Sequence, residues 1–248
     1  MKCVIHHAYF LPWLGYFSKL SFADKFILLD DALFSKGFYH DRTKYINSNG
    51  EVKWLTIPVG QNFKRYSNAV ILKDKSFLNI LIKSIEQSYA KAKFFKSEWP
   101  FLKHILVNSV QESDTLFELN VSIIKSICKL LEINTPIFVY SSTFLIDKAV
   151  DKTEKLINIC KAAKCDELIV GDGNSLVEHN IERVEKAGIT VLVQAFYANH
   201  PSYFQVRRQR AGFEKGVSIL DAILNIGRYH TALLINDSKI KPKTNIAQ

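Results

Sequence analysis

Lys2-Cys3-Val4-Ile5-His6-His7-Ala8-Tyr9-Phe10-Leu11-Pro12-Trp13-Leu14-Gly15-Tyr16-Phe17 stands near the start of the chain. Cys3 to Ile5 read as a short buried strand that runs straight into two histidines. From Pro12 a helical pattern begins at once, with Trp13, Tyr16, Phe17 and Leu20 on one face. A strand that turns directly into a helix is the first half of a βαβ unit. It delivers side chains and helix N-terminal amides to the carboxyl edge of a parallel sheet, where ligands of α/β proteins sit. Two imidazoles, a proline, a tryptophan and a glycine are a costly set to place there for packing alone. This corner is read as the centre of a binding or catalytic site.

Similar short apolar runs recur at Phe26–Asp30, Val52–Val59, Ile137–Tyr140, Glu167–Gly171 and Thr190–Phe196. Continuous rather than alternating apolar runs belong to strands buried on both faces. Helical patterns separate them at Pro12–Phe22, Leu116–Leu131, Asp151–Lys164, Ser175–Lys186 and Ser218–Ile226, and Phe77–Val110 reads as two helices broken near Pro100. The expected fold class is α/β, a mainly parallel sheet flanked by helices, with a helical middle segment. Residues 1–236 are expected to form one α/β domain, in which 76–132 are a candidate helical subdomain, and 237–248 a flexible tail.

The chain has 248 residues, 48% of them hydrophobic and 23% charged, a balance that argues against disorder. No stretch approaches the roughly 18 consecutive apolar residues of a transmembrane segment. The apolar run after Met1-Lys2 is too short for a signal peptide, so a cytoplasmic location is expected. Cys3, Cys128, Cys160 and Cys165 form no C-x-x-C pair and read as reduced, mostly buried thiols. The net charge of +9 favours an anionic partner, although most lysines are scattered. Arg207, Arg208 and Arg210 are the one cluster.

Several constellations carry chemistry. Leu28-Leu29-Asp30-Asp31 ends a strand in paired acids beside the histidine turn, where a carboxylate could orient an imidazole or act as a base. Residues 35–44 read as a glycine-containing loop, in which Lys36, Arg42 and Lys44, with His40, suit phosphate oxygens. Gly171-Asp172-Gly173 permits close backbone approach to a ligand, yet Leu176 stands where a dinucleotide fingerprint needs its third glycine. Ser141 offers a hydroxyl to the same edge. Tyr203 and Gln205 read as ligand-facing, and Ser218, Asp221 and Asn225 share one helical face as an inward polar network. There is no Walker A loop, nucleophile elbow or H-E-x-x-H motif. His6 and His7 would point to opposite faces of a strand, so a metal is not favoured, and no cofactor follows from the sequence.

The order H-H-A-Y-F-L-P-W-L-G-Y-F, L-L-D-D-A-L-F, H-D-R-T-K-Y-I, W-L-T-I-P-V, S-Y-F-Q and S-I-L-D-A-I-L-N-I-G resembles the WbqC-like protein family along nearly the whole chain. The family pattern carries Gln-Pro where this chain has His7-Ala8, Tyr at Phe10 and Asn at Asp41. The resemblance implies a place in bacterial surface-polysaccharide (O-antigen, lipopolysaccharide) biosynthesis and modification of an activated, nucleotide-linked sugar. On that basis the chain is expected to be a transferase that N-acylates or aminoacylates an amino-sugar nucleotide. His6 would be the base, balanced by Asp30 or Asp31. Arg42, Lys44 and Arg207 would hold phosphates, and Trp13, Tyr16 and Tyr203 would stack on sugar or base. Tyr9, Gly15, Lys36, His40, Ser141, Gly171, Asp172, Gly173, Gln205 and Asp221 complete the candidate substrate site. The donor would be an acyl or aminoacyl compound, charged tRNA among the candidates. The competing expectation is a non-enzymatic basic protein that binds RNA or a polysaccharide-assembly complex through the arginine cluster.

Overall fold

The computed structural model describes residues 1–61, 63, 65–73, 75–134, 136–146, 150–173, 175–208, 211–237 and 240–242. Strand β1 (Lys2–His6) leads through α1 (Leu14–Ser21) to β2 (Lys25–Leu28). A hairpin of β3 (Arg42–Ile46) and β4 (Val52–Thr56) follows, then three helices, α2 (Lys75–Tyr89), α3 (Phe95–Glu112) and α4 (Leu116–Leu131). The chain continues through β5 (Ile137–Tyr140), α5 (Lys152–Ala162), β6 (Glu167–Gly171), α6 (Ser175–Glu178), α7 (Ile181–Lys186) and β7 (Thr190–Gln194). It ends in α8 (Ile219–Asn236) and β8 (Ile240–Pro242).

Five strands are parallel, in the order β5-β2-β1-β6-β7, and β8 pairs antiparallel with β7 at the edge. Side chains of successive strand residues go to opposite faces. Val4, Phe26, Leu28, Ile169 and Leu192 therefore join the core under α1, α4 and α8, together with the apolar faces of α2 and α3. Cys3, Ile27, Leu168, Val170, Val191 and Val193 join a second core under α5 and α7. Both faces are covered, which explains the unbroken apolar strand runs. The fold is α/β.

From β1 the chain first builds outward through β2 and β5, then returns to the other side of β1 with β6 and β7. Strand order thus reverses between β1 and β6, the place where open α/β sheets bind ligands. The ladder there is short: Lys2 faces Glu167 and Cys3 faces Leu168, and the pairing stops. On either side β1 pairs with β2 from Cys3 to His6, and β6 with β7 over its whole length. The two central strands part toward their carboxyl ends. Continuing their register would bring His6 level with Gly171, both on the α1 side of the sheet.

Several local expectations are corrected. Arg42–Ile46, read as a loop edge, is strand β3, whose alternating side chains conceal it from a search for apolar runs. β4 stops at Thr56, before Pro58, which cannot donate to a ladder. β2 ends at Leu28, leaving Asp30 and Asp31 in the following turn. The break in the helical middle falls at Ala90–Phe94, not at Pro100, where the Phe94 amide donates to the Leu224 carbonyl of α8. Pro100 lies inside α3, which continues through it to Glu112. The expected helix at 175–186 is two short ones, because Asn180 caps a new start at Ile181. Gly227, at φ 81°, interrupts α8 beyond Ile226, and helix resumes to Asn236. Of the expected tail, Ile240–Pro242 form an edge strand, while 238, 239 and 243–248 lie outside the described residues, as do Asn174 and Arg210.

Candidate functional site

His6 ends β1 on the α1 side of the sheet. Its Nδ1 donates a hydrogen bond to the His7 carbonyl at 3.0 Å, which leaves Nε2 with a lone pair and no partner among the described residues. The ring meets Tyr9 and Tyr16 edge-on, each at 4.8 Å between centroids. Burial and the nearby Lys19 charge hold its pKa well below 6.5, so the imidazole is neutral. The Tyr16 hydroxyl also donates to the His7 carbonyl, fixing the turn (3.0 Å).

His7 leaves the strand and meets His40 at 4.7 Å between ring centroids. His7 Nδ1 and both nitrogens of His40 are enclosed without a partner among the described residues. Burial lowers His7 to about 4, helped by Lys155 and opposed by Asp31 and Glu178. Burial lowers His40 to about 3. Two residues that the sequence reading passed over hold this corner. The Tyr66 ring stacks on His40 at 4.3 Å, and Asn120 donates to the carbonyls of Ala8 (3.0 Å) and His40 (2.8 Å). Neither has a local sequence signal: Tyr66 donates to the Ala8 carbonyl 58 residues away, and Asn120 reaches His40 across 80 residues.

The acidic pair is placed differently from expectation. Asp30 accepts from the Ser142 amide (2.9 Å) and the Ser141 hydroxyl (3.0 Å), closing the turn after β5. Asp31 accepts from Ser141 (2.5 Å) and from Lys155 Nζ (2.8 Å). Burial works to raise the Asp31 pKa, but the Lys155 and Ser141 hydrogen bonds outweigh it and the carboxylate is held low. The charges that reach His6 come from Lys19, His7 and His40, whereas Asp31 acts on His7. The expected pairing of His6 with Asp30 or Asp31 is not formed, because Ser141 and Ser142 draw both carboxylates to the β5 side.

A lysine takes the place beside His6. All eight residues of α1 are buried, so the helix has no solvated face, and Lys19 is only 9% exposed. Its Nζ lies 3.4 Å from the point a Cβ on Gly171 would occupy, with Asp172 nearby. Gly171 thus makes room for Lys19. Asp172 accepts from the Ala198 amide at 3.0 Å, and Gly173 faces open space.

Next to this crevice is a cleft of about 290 Å³ lined by Tyr9, Trp13, Tyr39, Lys44, Tyr197, Lys215 and Gly216. Trp13 bridges to Ser218 ahead of α8 and stacks near His200, with ring centroids 5.8 Å apart. Gly15 is needed for this, because the Trp13 indole folds back over it. Gly15 is therefore a packing position rather than a ligand contact. On β3, Arg42 and Lys44 share one side. The Arg42 guanidinium lies 4.0 Å above Trp54, and its buried Nε has no protein partner. Lys36 is exposed on the preceding loop. The cleft is aromatic and cationic at once, which suits a planar or sugar ring that carries phosphate.

The C-terminal expectations meet a different use. Asp221 is fully buried and accepts from Tyr203 (2.8 Å), Gln205 (2.8 Å) and Asn225 (3.2 Å). Burial raises its pKa to about 6 against those donors. Tyr203 and Gln205 thus fasten the loop before α8, and both also line a small pocket with Phe204, Arg208, Gly212 and Phe213. The Arg207 guanidinium donates to the carbonyls of Ser48 (2.6 Å), Ser88 (3.2 Å) and Gln87 (3.4 Å). Arg208 donates to those of Gly50 and Gly212 and pairs with Glu214. The expected phosphate grip at Arg207 is spent on backbone.

Among the described residues, no group of three or more His, Cys, Asp or Glu side chains is placed to hold a metal, and no helix is long and apolar enough to cross a membrane. The profile of the WbqC-like protein family matches residues 7–232. The chain belongs to the WbqC-like family. An uncharacterized protein of Mycobacterium tuberculosis, Rv1507c, is 26% identical to it over 229 residues, 91% of this chain and 94% of the relative. No solved structure matches. The WbqC-like match starts at His7, just after His6 and β1, and covers Lys19, Gly171, the cleft and the Asp221 network.

Proposed function

We propose that this WbqC-like protein transfers an acyl or aminoacyl group to the amine of an amino sugar carried on a nucleotide, in bacterial O-antigen or surface-polysaccharide biosynthesis. The observation that carries the reading is the meeting of a neutral imidazole with an aromatic, cationic cleft at the switch in strand order. Tyr9 belongs to both, touching His6 and lining the cleft. In this reading Tyr9, Trp13 and Tyr39 pack on the sugar or base, and Lys44 and Arg42 attract the pyrophosphate. His6 Nε2 takes the proton from the amine as nitrogen bonds the acyl carbon and the donor's ester or thioester bond breaks. A well-placed base supplies about 10²–10⁴ in rate. Nucleotide-linked sugars are made in the cytoplasm, so the reading carries a cytoplasmic location with it.

Purified protein incubated with amino-sugar nucleotides and acyl or aminoacyl donors, followed by mass spectrometry, tests the proposal. The expected product is the N-acylated sugar nucleotide, and His6→Ala should lower its rate at least about a hundredfold. Transfer at the wild-type rate in that variant would remove His6 from the chemistry. The RNA-binding alternative loses its main support, since Arg207 and Arg208 are committed to backbone carbonyls.

A further inference from the structure

We propose that Lys19 is a reactive amine that condenses with the carbonyl carbon of an aldehyde or ketone entering the crevice between β1 and β6, holding it as an imine. A buried lysine ordinarily donates hydrogen bonds from its amine to a backbone or carboxylate oxygen. Lys25 shows the structural use: its Nζ donates to the Ala163 carbonyl at 2.7 Å. Lys19 is more deeply enclosed, yet no carbonyl, carboxylate or hydroxyl among the described residues accepts from its Nζ, and it joins no ion pair.

Three further features suit imine chemistry. The first is the state of the amine. Burial draws Lys19 from 10.5 to about 8, with only Asp172 pulling the other way. Relative to an ordinary lysine, the unprotonated fraction near neutral pH is then about three hundredfold larger. The second is space. The β1–β6 ladder stops at Cys3 and Leu168, and Gly171 presents no side chain where Nζ arrives. The third is a proton carrier. Lys19 is the charge that acts most strongly on His6, which is neutral and whose Nε2 has no hydrogen-bond partner among the described residues.

The step balances without a co-reactant. Nζ bonds the carbonyl carbon to give a carbinolamine, and one amine proton passes to the oxygen. The carbon–oxygen bond then breaks and the oxygen leaves as water with the second amine hydrogen. Addition of a proton to the imine nitrogen gives the iminium, and water reverses the whole sequence. A keto or aldehydo sugar belongs to this ligand class, but the inference does not depend on acyl transfer.

Glycolaldehyde and sodium cyanoborohydride, which reduces an iminium to a stable secondary amine, test the proposal on the intact protein. After brief exposure at pH 7.5, peptide mapping by mass spectrometry locates the adducts. Lys19 should be labelled at least about tenfold faster than exposed Lys53, with a rate that rises through a midpoint near pH 8. Lys19→Arg should abolish that adduct and leave Lys53 unchanged. Gly171→Ala, which keeps the amine but fills the space before it, should slow labelling at Lys19 alone. His6→Gln should slow it by removing the proton carrier. Labelling spread over surface lysines with Lys19 untouched in the folded wild type would overturn the proposal, as would a Lys19 midpoint above pH 10. The acyl-transfer reading fails or stands separately, by the product assay above.

Discussion

The indole of Trp13 lies folded over the α-carbon of Gly15, in the space a side chain at position 15 would need. That contact aims Trp13 at the cleft and brings it against Phe196, Tyr197 and His200. Gly15→Ala should push the ring out, costing about 1–3 kcal/mol as overpacked cores do. Chemical denaturation measures the loss. Trp13 emission, read in a background where Trp54 and Trp99 are Phe, should shift to the red. An unchanged spectrum and stability would mean the ring has room to spare.

The three imidazoles at the end of β1 predict an acid-labile fold. His6, His7 and His40 all have folded pKa values below 6.5, His7 at about 4 and His40 at about 3, so the unfolded chain binds more protons as pH falls. Stability should be full above pH 6.5 and decline below it, by about 1.4 kcal/mol per pH unit for each histidine involved. Urea titrations from pH 7 to pH 4 measure the slope. His40→Phe, which keeps the stack on Tyr66, should lessen it by one histidine's share. A slope equal to wild type would show that His40 is charged in the folded protein.

Asp221 works with the opposite sign. Its folded pKa of about 6 lies above the unfolded value of 3.8, so its contribution is largest at low pH and is lost as pH rises through 6. Tyr203, Gln205 and Asn225 each stabilise the ionised form by donating to it. Tyr203→Phe removes one donor and should move the Asp221 midpoint upward, as read by ¹³C NMR of the carboxyl carbon. A midpoint that stays in place would show that the hydroxyl bonds elsewhere.

Arg207 should behave as a strut. Its guanidinium holds Ser48 of the hairpin turn and Gln87 and Ser88 of α2, and its own φ of 68° is one few non-glycine residues adopt. Arg207→Ala should cost about 1.5–3 kcal/mol through lost charged hydrogen bonds, seen as a lower melting temperature. Binding of labelled tRNA at low salt should be the same in both proteins. A large, salt-sensitive loss of tRNA binding without loss of stability would restore the arginine cluster as a nucleic-acid surface.

Lys44 has no ion pair among the described residues and faces the cleft. Lys44→Met should weaken a nucleotide-linked amino sugar about tenfold or more, consistent with loss of one charged hydrogen bond to phosphate. Isothermal titration against the sugar nucleotide and the matching uncharged sugar separates phosphate attraction from ring packing. Equal effects on both ligands would place the phosphates elsewhere.

The five parallel strands were legible because each is apolar on both faces, and Val4 with Cys3 shows why: they enter different cores. The turn at His6 was legible as a site because strand-to-helix turns in such sheets face the ligand edge. β3 was not, since Arg42 and Lys44 alternate with Thr43 and Tyr45 outside the main sheet. Lys19 was missed because a lysine on an amphipathic helix ordinarily marks the wet side. The available signal was that its neighbours Ser18 and Ser21 are small while Phe17 and Leu20 are large, leaving α1 no wet side at all. The reach of Asp30 and Asp31 was misjudged because the competitors for their oxygens, Ser141 and Ser142, lie more than a hundred residues away. The inward polar face of Asp221 and Asn225 was legible, but its bonds to Tyr203 and Gln205 were not, because the loop between them carries no signal of which way it folds.

The unfinished ladder between β1 and β6 puts the shortest strand pairing of the sheet at its middle rather than at its rim. A molecule bound across that gap would tie two half-sheets that the backbone itself leaves loosely joined. Occupancy should therefore announce itself as slower amide exchange along the tips of β1 and β6, and a tight ligand should raise the thermal tolerance of the entire protein.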